Sequence, residues 1–497
     1  MLAQPCMLAF AALASLATAA SSQQSHNRLA KRVATDSSFQ QTYYQSNYKD
    51  GAQAPGFQAG DSDGQTVIIN SNNGTDNNSP VSTCPIAYIG GAAVVGSEDD
   101  GWESKAQIVG FDTKSLEVDN NITMPYYIER KDYTKAKRII MVLQGKPRDA
   151  WRYPNLMRYT GKCAVSNPDW PTQDEDFIVT APIIYNTNDL KAGGAAPTDL
   201  VWNGGSWASG GITKGPGDAT WTTFKAMDSL VDLWFNQTMF PALTSVVIAG
   251  HSAGAILAQR YAMLRQSTSG QDENIKWLIA DAGSYVWPND DYPVTNPPAT
   301  KDCKSDGDAC DMVASCNTTK TQWPYGMDVS DPSTMNVYGR DRVVKDKQGV
   351  IDTYLARRIQ YTIAELDDGQ GDTHCEAQFQ GDSHRSRGWN LISELRKMGA
   401  TGLTNTTVPN ATHVDEEVFI DPASQHWLFV DGISDARNGT GAGGSKSSKG
   451  GKGNDSSSSS SKGSSGAASS QVDLAGKAVA ALALAFTAAA VSSVGLL

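Results

Sequence analysis

Histidine is scarce in this chain, six among 497 residues, so each one can be weighed individually. Basic residues are outnumbered as well: 41 Lys and Arg face 53 Asp and Glu, and the formal charge of −12 argues against nucleic acid as a partner. No internal repeat is visible, and no motif calls for a metal, nucleotide or flavin cofactor. Cysteine is limited to seven residues. Residues 433–470 have almost nothing apolar and include an unbroken run from Ser456 to Ser461. Such a segment cannot bury enough surface to offset its chain entropy and reads as a flexible Gly/Ser-rich stalk.

The two ends have a different character. Residues 1–20 form an apolar stretch closing on small residues, which predicts a cleaved signal peptide. A disordered leader is expected over 21–80, where Lys31-Arg32 reads equally as a processing site or as two solvated charges. Residues 471–497 end in an uncharged tail of small and apolar residues, preceded by Gly466, Ala467, Ala468 and a polar spacer. That order is the pattern of a glycolipid (GPI) anchor signal whose tail is removed, the rival being one C-terminal transmembrane helix. The expected address is therefore extracellular, at a eukaryotic cell surface, with a membrane attachment through lipid and a further attachment to cell-wall glycan. Loss of Cys6 with the signal leaves six cysteines, an even number that favours disulfides in an exported chain. Cys303, Cys310 and Cys316 cluster, with Cys84, Cys163 and Cys375 distant, and the sequence does not choose a pairing. Nine N-x-[ST] sequons, among them Asn121, Asn236, Asn317, Asn405 and Asn410, agree with export.

The folded unit is then residues 81–432. Strands are predicted at 86–90, 107–111, 138–143, 177–184, 245–249, 275–280, 359–364 and about 403–408. Helices are predicted at 219–239, 253–266, 348–358 and 384–399, the first with Phe224, Met227, Leu230, Val231 and Trp234 in one stripe. This alternation predicts an α/β architecture, a mainly parallel eight-stranded sheet with an antiparallel start and helices on both faces. Its ligand site belongs at the carboxyl ends of the strands.

Three of those ends carry a coherent chemistry. SVVIAGHSAGAILAQ sets Ser252 between Gly250 and Gly254 where a strand passes into a helix, the setting of an exposed nucleophile. A serine hydroxyl needs a base, and the base needs a carboxylate to orient it. The base is expected after the last strand, at His413 in VPNATH. His251 cannot turn back on its neighbour, His26 lies in the leader, His374 and His384 follow the penultimate strand, and His426 is the main rival. The acid is expected at Asp367 in IAELDD, with Glu365, Asp368 and Asp281 as alternatives. Backbone donors for an oxyanion are expected from Ala253 and from Gly145 or Lys146 in LQGKPRDA, since Pro147 has no N–H.

These blocks together resemble the α/β-hydrolase family over roughly residues 85–430. The likeness rests on LQGKPRDA, FPALTSVVIAGHSAGAILAQRYA, GSYVW, WPYGM, IAELD with CEAQFQG, and VPNATH, in that order. More narrowly it is similar to secreted or wall-associated, fungal-type hydrolases. The resemblance implies Ser252 as nucleophile, Asp367 as acid and His413 as base, with Gln144 standing where relatives tend to have His. Residues 285–345 are expected to form a disulfide-braced excursion over the strand ends, and Trp202 and Trp207 to help line the substrate pocket. The expected activity is hydrolysis of a small-molecule, lipid or polymer ester through an acyl-enzyme. Two alternatives remain, a peptidase or amidase with the same triad and a catalytically idle wall protein.

Overall fold

The computed structural model describes residues 65–68, 88–92, 96–108, 110–268, 270–295 and 316–433, all within the first of two units, Met1–Gly439. The expected signal peptide, most of the leader, the stalk beyond Ile433, the anchor tail, Cys84, Cys303 and Cys310 lie outside these residues.

Eight strands form the main sheet: β1 (Phe111–Asp119), β2 (Ile122–Glu129), β3 (Arg138–Leu143), β4 (Phe177–Pro182), β5 (Ser245–His251), β6 (Ile275–Ala280), β7 (Arg358–Ala364) and β8 (Leu403–Val408). Their order across the sheet is 1-2-4-3-5-6-7-8. β1 with β2 and β2 with β4 are antiparallel, and every later pairing is parallel. This is the α/β-hydrolase fold. The central strands RIIMVL, SVVIAGH and IKWLIA are buried throughout, as continuous apolar runs covered on both faces should be. The edges differ: FDTKSLEVD and LTNTTV keep polar side chains exposed, which discourages pairing with another chain.

Five helices longer than ten residues accompany the sheet: α1 (Arg152–Ser166), α2 (Thr223–Trp234), α3 (Ala253–Leu264), α4 (Arg340–Ala356) and α5 (His384–Lys397). α2 shows the predicted stripe fully buried, and starts where the Thr222 side chain accepts from the Lys225 N–H at 3.1 Å. Together α2–α5 cover one face of the sheet, and their core includes Leu230, Tyr261, Tyr354 and Leu391. α1 and the C-terminal residues Phe419, Leu428 and Phe429 cover the other.

Two predicted strands are corrected. Residues 88–92 do form a strand, but it pairs with Gln65–Ile68 outside the main sheet. Residues 107–111 contribute only Phe111, and the sheet instead opens on β1 and β2. Pro125 lies inside β2, where a proline argues against a strand. Its carbonyl nonetheless accepts from the Ile183 N–H at 2.8 Å. Helix α4 begins eight residues earlier than 348, through a charged stretch with non-helical backbone at Asp346.

At the amino ends of the strands, Arg138 is fully buried and donates to Ser245 Oγ at 2.8 Å, to the Leu428 carbonyl at 2.9 Å and to the Asp431 carbonyl. Lys276 joins it, donating to Asp431 Oδ2 at 2.7 Å. The C-terminal segment is thereby clamped to the start of the sheet. Arg138→Met leaves a hydroxyl and two carbonyls without this donor, so denaturant unfolding should show about 3 kcal/mol lost.

Candidate active site

Ser252 is the residue between β5 and α3, with φ 54° and ψ −120°, a conformation that side chains rarely adopt. Its N–H donates to the Ala280 carbonyl at 3.0 Å. The two flanking glycines allow the turn to close. A Cβ on Gly250 would stand 2.3 Å from the Gly254 carbonyl group. One on Gly254 would stand 2.7 Å from the Leu143 oxygen and 2.8 Å from the Gln144 oxygen. Helix α3 therefore starts in direct contact with the end of β3, and its first N–H groups, Ala253 included, have no partner within the helix.

Asp367 follows the end of β7 and His413 follows the end of β8. His413 Nδ1 and Asp367 Oδ2 are 2.6 Å apart. The carboxylate is 2% exposed, and its Oδ1 accepts from the Gly369 N–H at 3.3 Å. Burial alone would raise the Asp367 pKa, but the contacts from His384 and His413 outweigh it and hold the group well below the usual carboxylate range. The other acids are engaged elsewhere. Glu365 accepts from the Asn410 N–H at 3.0 Å, and Asp368 pairs with Arg385 at 2.6 Å. Asp281 accepts from the Ala364 N–H at 2.9 Å, and burial followed by the Asp367 charge pushes its carboxyl far up, towards the neutral form.

The histidines sort equally clearly. His426 is exposed, with its ring edge-on to Trp170, and His374 is exposed against Asp372. His251 and His384 instead flank His413, with ring centroids 4.5 Å and 4.0 Å from it. Neither was singled out by sequence for this position. Both lie in segments already marked, one beside the serine and one at the start of a predicted helix. Burial, followed by the nearby His413, lowers the His251 pKa to about 3. Its Nε2 has no hydrogen-bond partner among the described residues.

These ends open on one cavity of about 1190 Å³, whose wall includes Ser252, Ala253, Lys146, Trp207, His384 and His413. Gly145 lies behind the wall, against Tyr153, where an added Cβ would meet the phenol oxygen at 2.3 Å. Trp202 requires correction: it is fully buried, donates to the Gly211 carbonyl at 2.9 Å and is absent from the cavity wall. Gln144 is also fully buried, and its side-chain amide bonds both ways with Ile184, 2.7 Å to the carbonyl and 3.0 Å from the N–H. It thus adds one more rung between the ends of β3 and β4. The excursion reaches the site through Pro324 and Tyr325, and Cys316 is disulfide-bonded to Cys375 with Cα atoms 6.0 Å apart. Cys163 is disulfide-bonded too.

Two groups of side chains among the described residues bring metal-ligating atoms together. Asp367, His384 and His413 bring three ligand atoms within 4.8 Å of one another. The 2.6 Å between carboxylate and imidazole is hydrogen-bond spacing. Two ligands on one tetrahedral zinc stand about 3.4 Å apart, from bonds near 2.1 Å. In the second group, Cys316, Cys375 and Glu376, both thiols are used in the disulfide.

No family model and no curated protein matches the chain. Solved structures similar to it include poly(aspartic acid) hydrolase-1 from Sphingomonas sp. KT-1, at 14% identity over 64% of this chain and 98% of that one, TM-score 0.41. The poly(3-hydroxybutyrate) depolymerase LpqC from Bordetella parapertussis is 16% identical over 66% of this chain and 95% of that one, TM-score 0.42. The siderophore hydrolase EstB from Aspergillus nidulans is 10% identical over 66% and 97%, TM-score 0.33.

Two outcomes test the site's construction. Gly254→Ala forces α3 away from backbone oxygens that cannot yield, and should cost about 1–3 kcal/mol in denaturant unfolding. His251 has an ordinary pKa of 6.5 when unfolded and about 3 when folded. Between those values the unfolded chain binds the extra proton, so this group makes stability fall as pH drops below about 6.5. His251→Phe removes that contribution, and the fall in Tm between about pH 7.5 and about pH 5 should be smaller than in the parent.

Proposed function

We propose that the chain is a serine hydrolase of carboxylic esters, with Ser252 as nucleophile, His413 as base and Asp367 as the orienting acid. The observation that most supports this is the 2.6 Å contact between His413 and the buried Asp367, made at the cavity that Ser252 also lines. With Nδ1 committed to Asp367, His413 has Nε2 left to take the Ser252 proton as Oγ attacks the acyl carbon. The N–H groups of Ala253 and Lys146 are the donors assigned to the resulting oxyanion, with Gly145 as the alternative to Lys146. Collapse expels the alcohol, which leaves with the proton from His413. Water, deprotonated by the same imidazole, then releases the acid and restores Ser252.

The proposed setting is an exported glycoprotein tethered by lipid at a cell surface, in keeping with a fungal wall hydrolase. Four of the sequon asparagines, Asn121, Asn236, Asn317 and Asn410, are exposed on the described fold, which is compatible with glycans there.

The test pairs the expressed chain with its Ser252→Ala variant, using p-nitrophenyl esters of rising chain length and a fluorophosphonate probe. Ester turnover should fall by about 10⁴-fold or more in the variant, and labelling should vanish. Labelling without ester turnover in the parent would point to amide substrates. Folded parent protein that shows neither would overturn the hydrolase reading.

A further inference from the structure

We propose that His384 is a positioning residue for the base, holding the His413 ring and the Asp367 carboxylate in line for proton transfer at Ser252. The proposal rests on the triad reading given above. A triad uses one oxygen of its carboxylate. Here Oδ2 of Asp367 meets His413 Nδ1 at 2.6 Å, and Oδ1 lies 3.1 Å from His384 Nδ1. The second contact is within reach but off-line for a hydrogen bond, and His384 Nδ1 makes none. The two imidazoles are nearly parallel, 22° between planes and 4.0 Å between centroids. They approach one carboxylate side by side, each covering a face of the other.

His384 is not a second base. Its side chain is 7% exposed against 32% for His413. Its outer nitrogen lies against the loop after Asp367, where a Cβ on Gly371 would stand 2.5 Å from His384 Nε2. The backbone fixes the arrangement further. The His384 N–H donates to the Gly369 carbonyl at 2.9 Å, and the Arg385 N–H donates to the Asp367 carbonyl at 3.2 Å. The start of α5 is thus bonded to the residue that carries the acid. A shift of Asp367 or a rotation of His413 has to push against a ring that is itself held by a helix terminus.

The stack also bears on charge. His413 becomes positive during acyl transfer, and a neutral ring 4.0 Å away leaves that charge to Asp367, whereas a second imidazolium would oppose it. Burial keeps the His384 pKa below its ordinary value, against the pull of Asp367. The other charged or titratable groups facing this cluster are Arg387 on α5, Asp281 at the end of β6 and His251 on the far face of His413, with Asp415 beyond it. Asp281 and His251 are held towards their neutral forms by burial, so Asp367 and Arg387 are the fixed charges nearest the stack.

The experiment measures kcat and KM for a p-nitrophenyl ester from about pH 4 to about pH 9, with the rate of fluorophosphonate labelling. It compares the parent chain with His384→Ala, His384→Phe, His413→Ala and the double variant His384→Ala/His413→Ala. His384→Ala should lower kcat and the labelling rate together by roughly ten- to hundredfold, with KM little changed, as expected when a reacting group is misplaced rather than removed. His384→Phe keeps a ring in the stack and should recover part of that loss. In the parent, the acid limb of log kcat/KM should steepen beyond one proton as His384 titrates; in His384→Phe it should stay at one. Should the alanine variant not fold, the phenylalanine variant decides, because it fills the same space. Parental kcat with an unchanged acid limb in His384→Phe would overturn the proposal. So would activity in His413→Ala that disappears only when His384 is also replaced, since His384 would then be the base. Full activity in His413→Ala without dependence on His384 would fail the triad reading itself, and that variant separates the two failures.

Discussion

Asp367 carries its charge at 2% exposure, and much of the structure around the cavity makes that tolerable. A lone carboxylate in such a place would neutralise itself by taking up a proton. Its neighbours prevent this: the Gly369 N–H, the His413 imidazole and the edge of His384 all face its two oxygens. Asp281, the nearest competing acid, is pushed the other way and leaves the negative charge to Asp367. Two carboxyls at the ends of adjacent strands thus divide into one charged and one neutral partner. Only the charged one is placed against the histidine that opens on the cavity.

The second constraint is steric. Gly254 brings the start of α3 onto the oxygens of Leu143 and Gln144, so the serine turn and the loop after β3 are positioned by one contact. Gln144 then ties that loop to the end of β4 through Ile184. Ser252 and the proposed oxyanion donors therefore inherit their spacing from backbone packing, which varies little as side chains move. A catalytic geometry assembled in this way has few soft degrees of freedom.

How much of this was legible in the sequence follows from how local each signal is. The serine turn was legible because glycine, serine and glycine at that spacing have one physical use between a buried strand and a helix. The pairing of Asp367 with His413 followed from strand order, since Asp367 comes just after the apolar run RIQYTIA and His413 after the last strand, the polar edge of the sheet. β1 and β2 were misplaced because an exposed edge strand alternates weakly and a proline interrupts its neighbour. Trp202 and Trp207 sit in one Gly-rich stretch with similar surroundings. Which of them faces the cavity depends on a hydrogen bond to Gly211, nine residues along, that composition does not encode. His384 was visible only as a histidine near a helix start, because its stacking partner is supplied by a different strand end.

The clamp formed by Arg138 and Lys276 has a mechanical consequence. Both belong to the amino ends of their strands, whereas Ser252, Asp367 and His413 follow carboxyl ends, a separation of about 20 Å along a seven-residue strand. Tension applied to the chain beyond Asp431 is transmitted first to two buried basic side chains and the strands that carry them. The load path ends in the sheet, the stiffest part of the molecule. The serine turn and its histidines lie off that path, so the site can keep its alignment while the other end of the sheet is pulled.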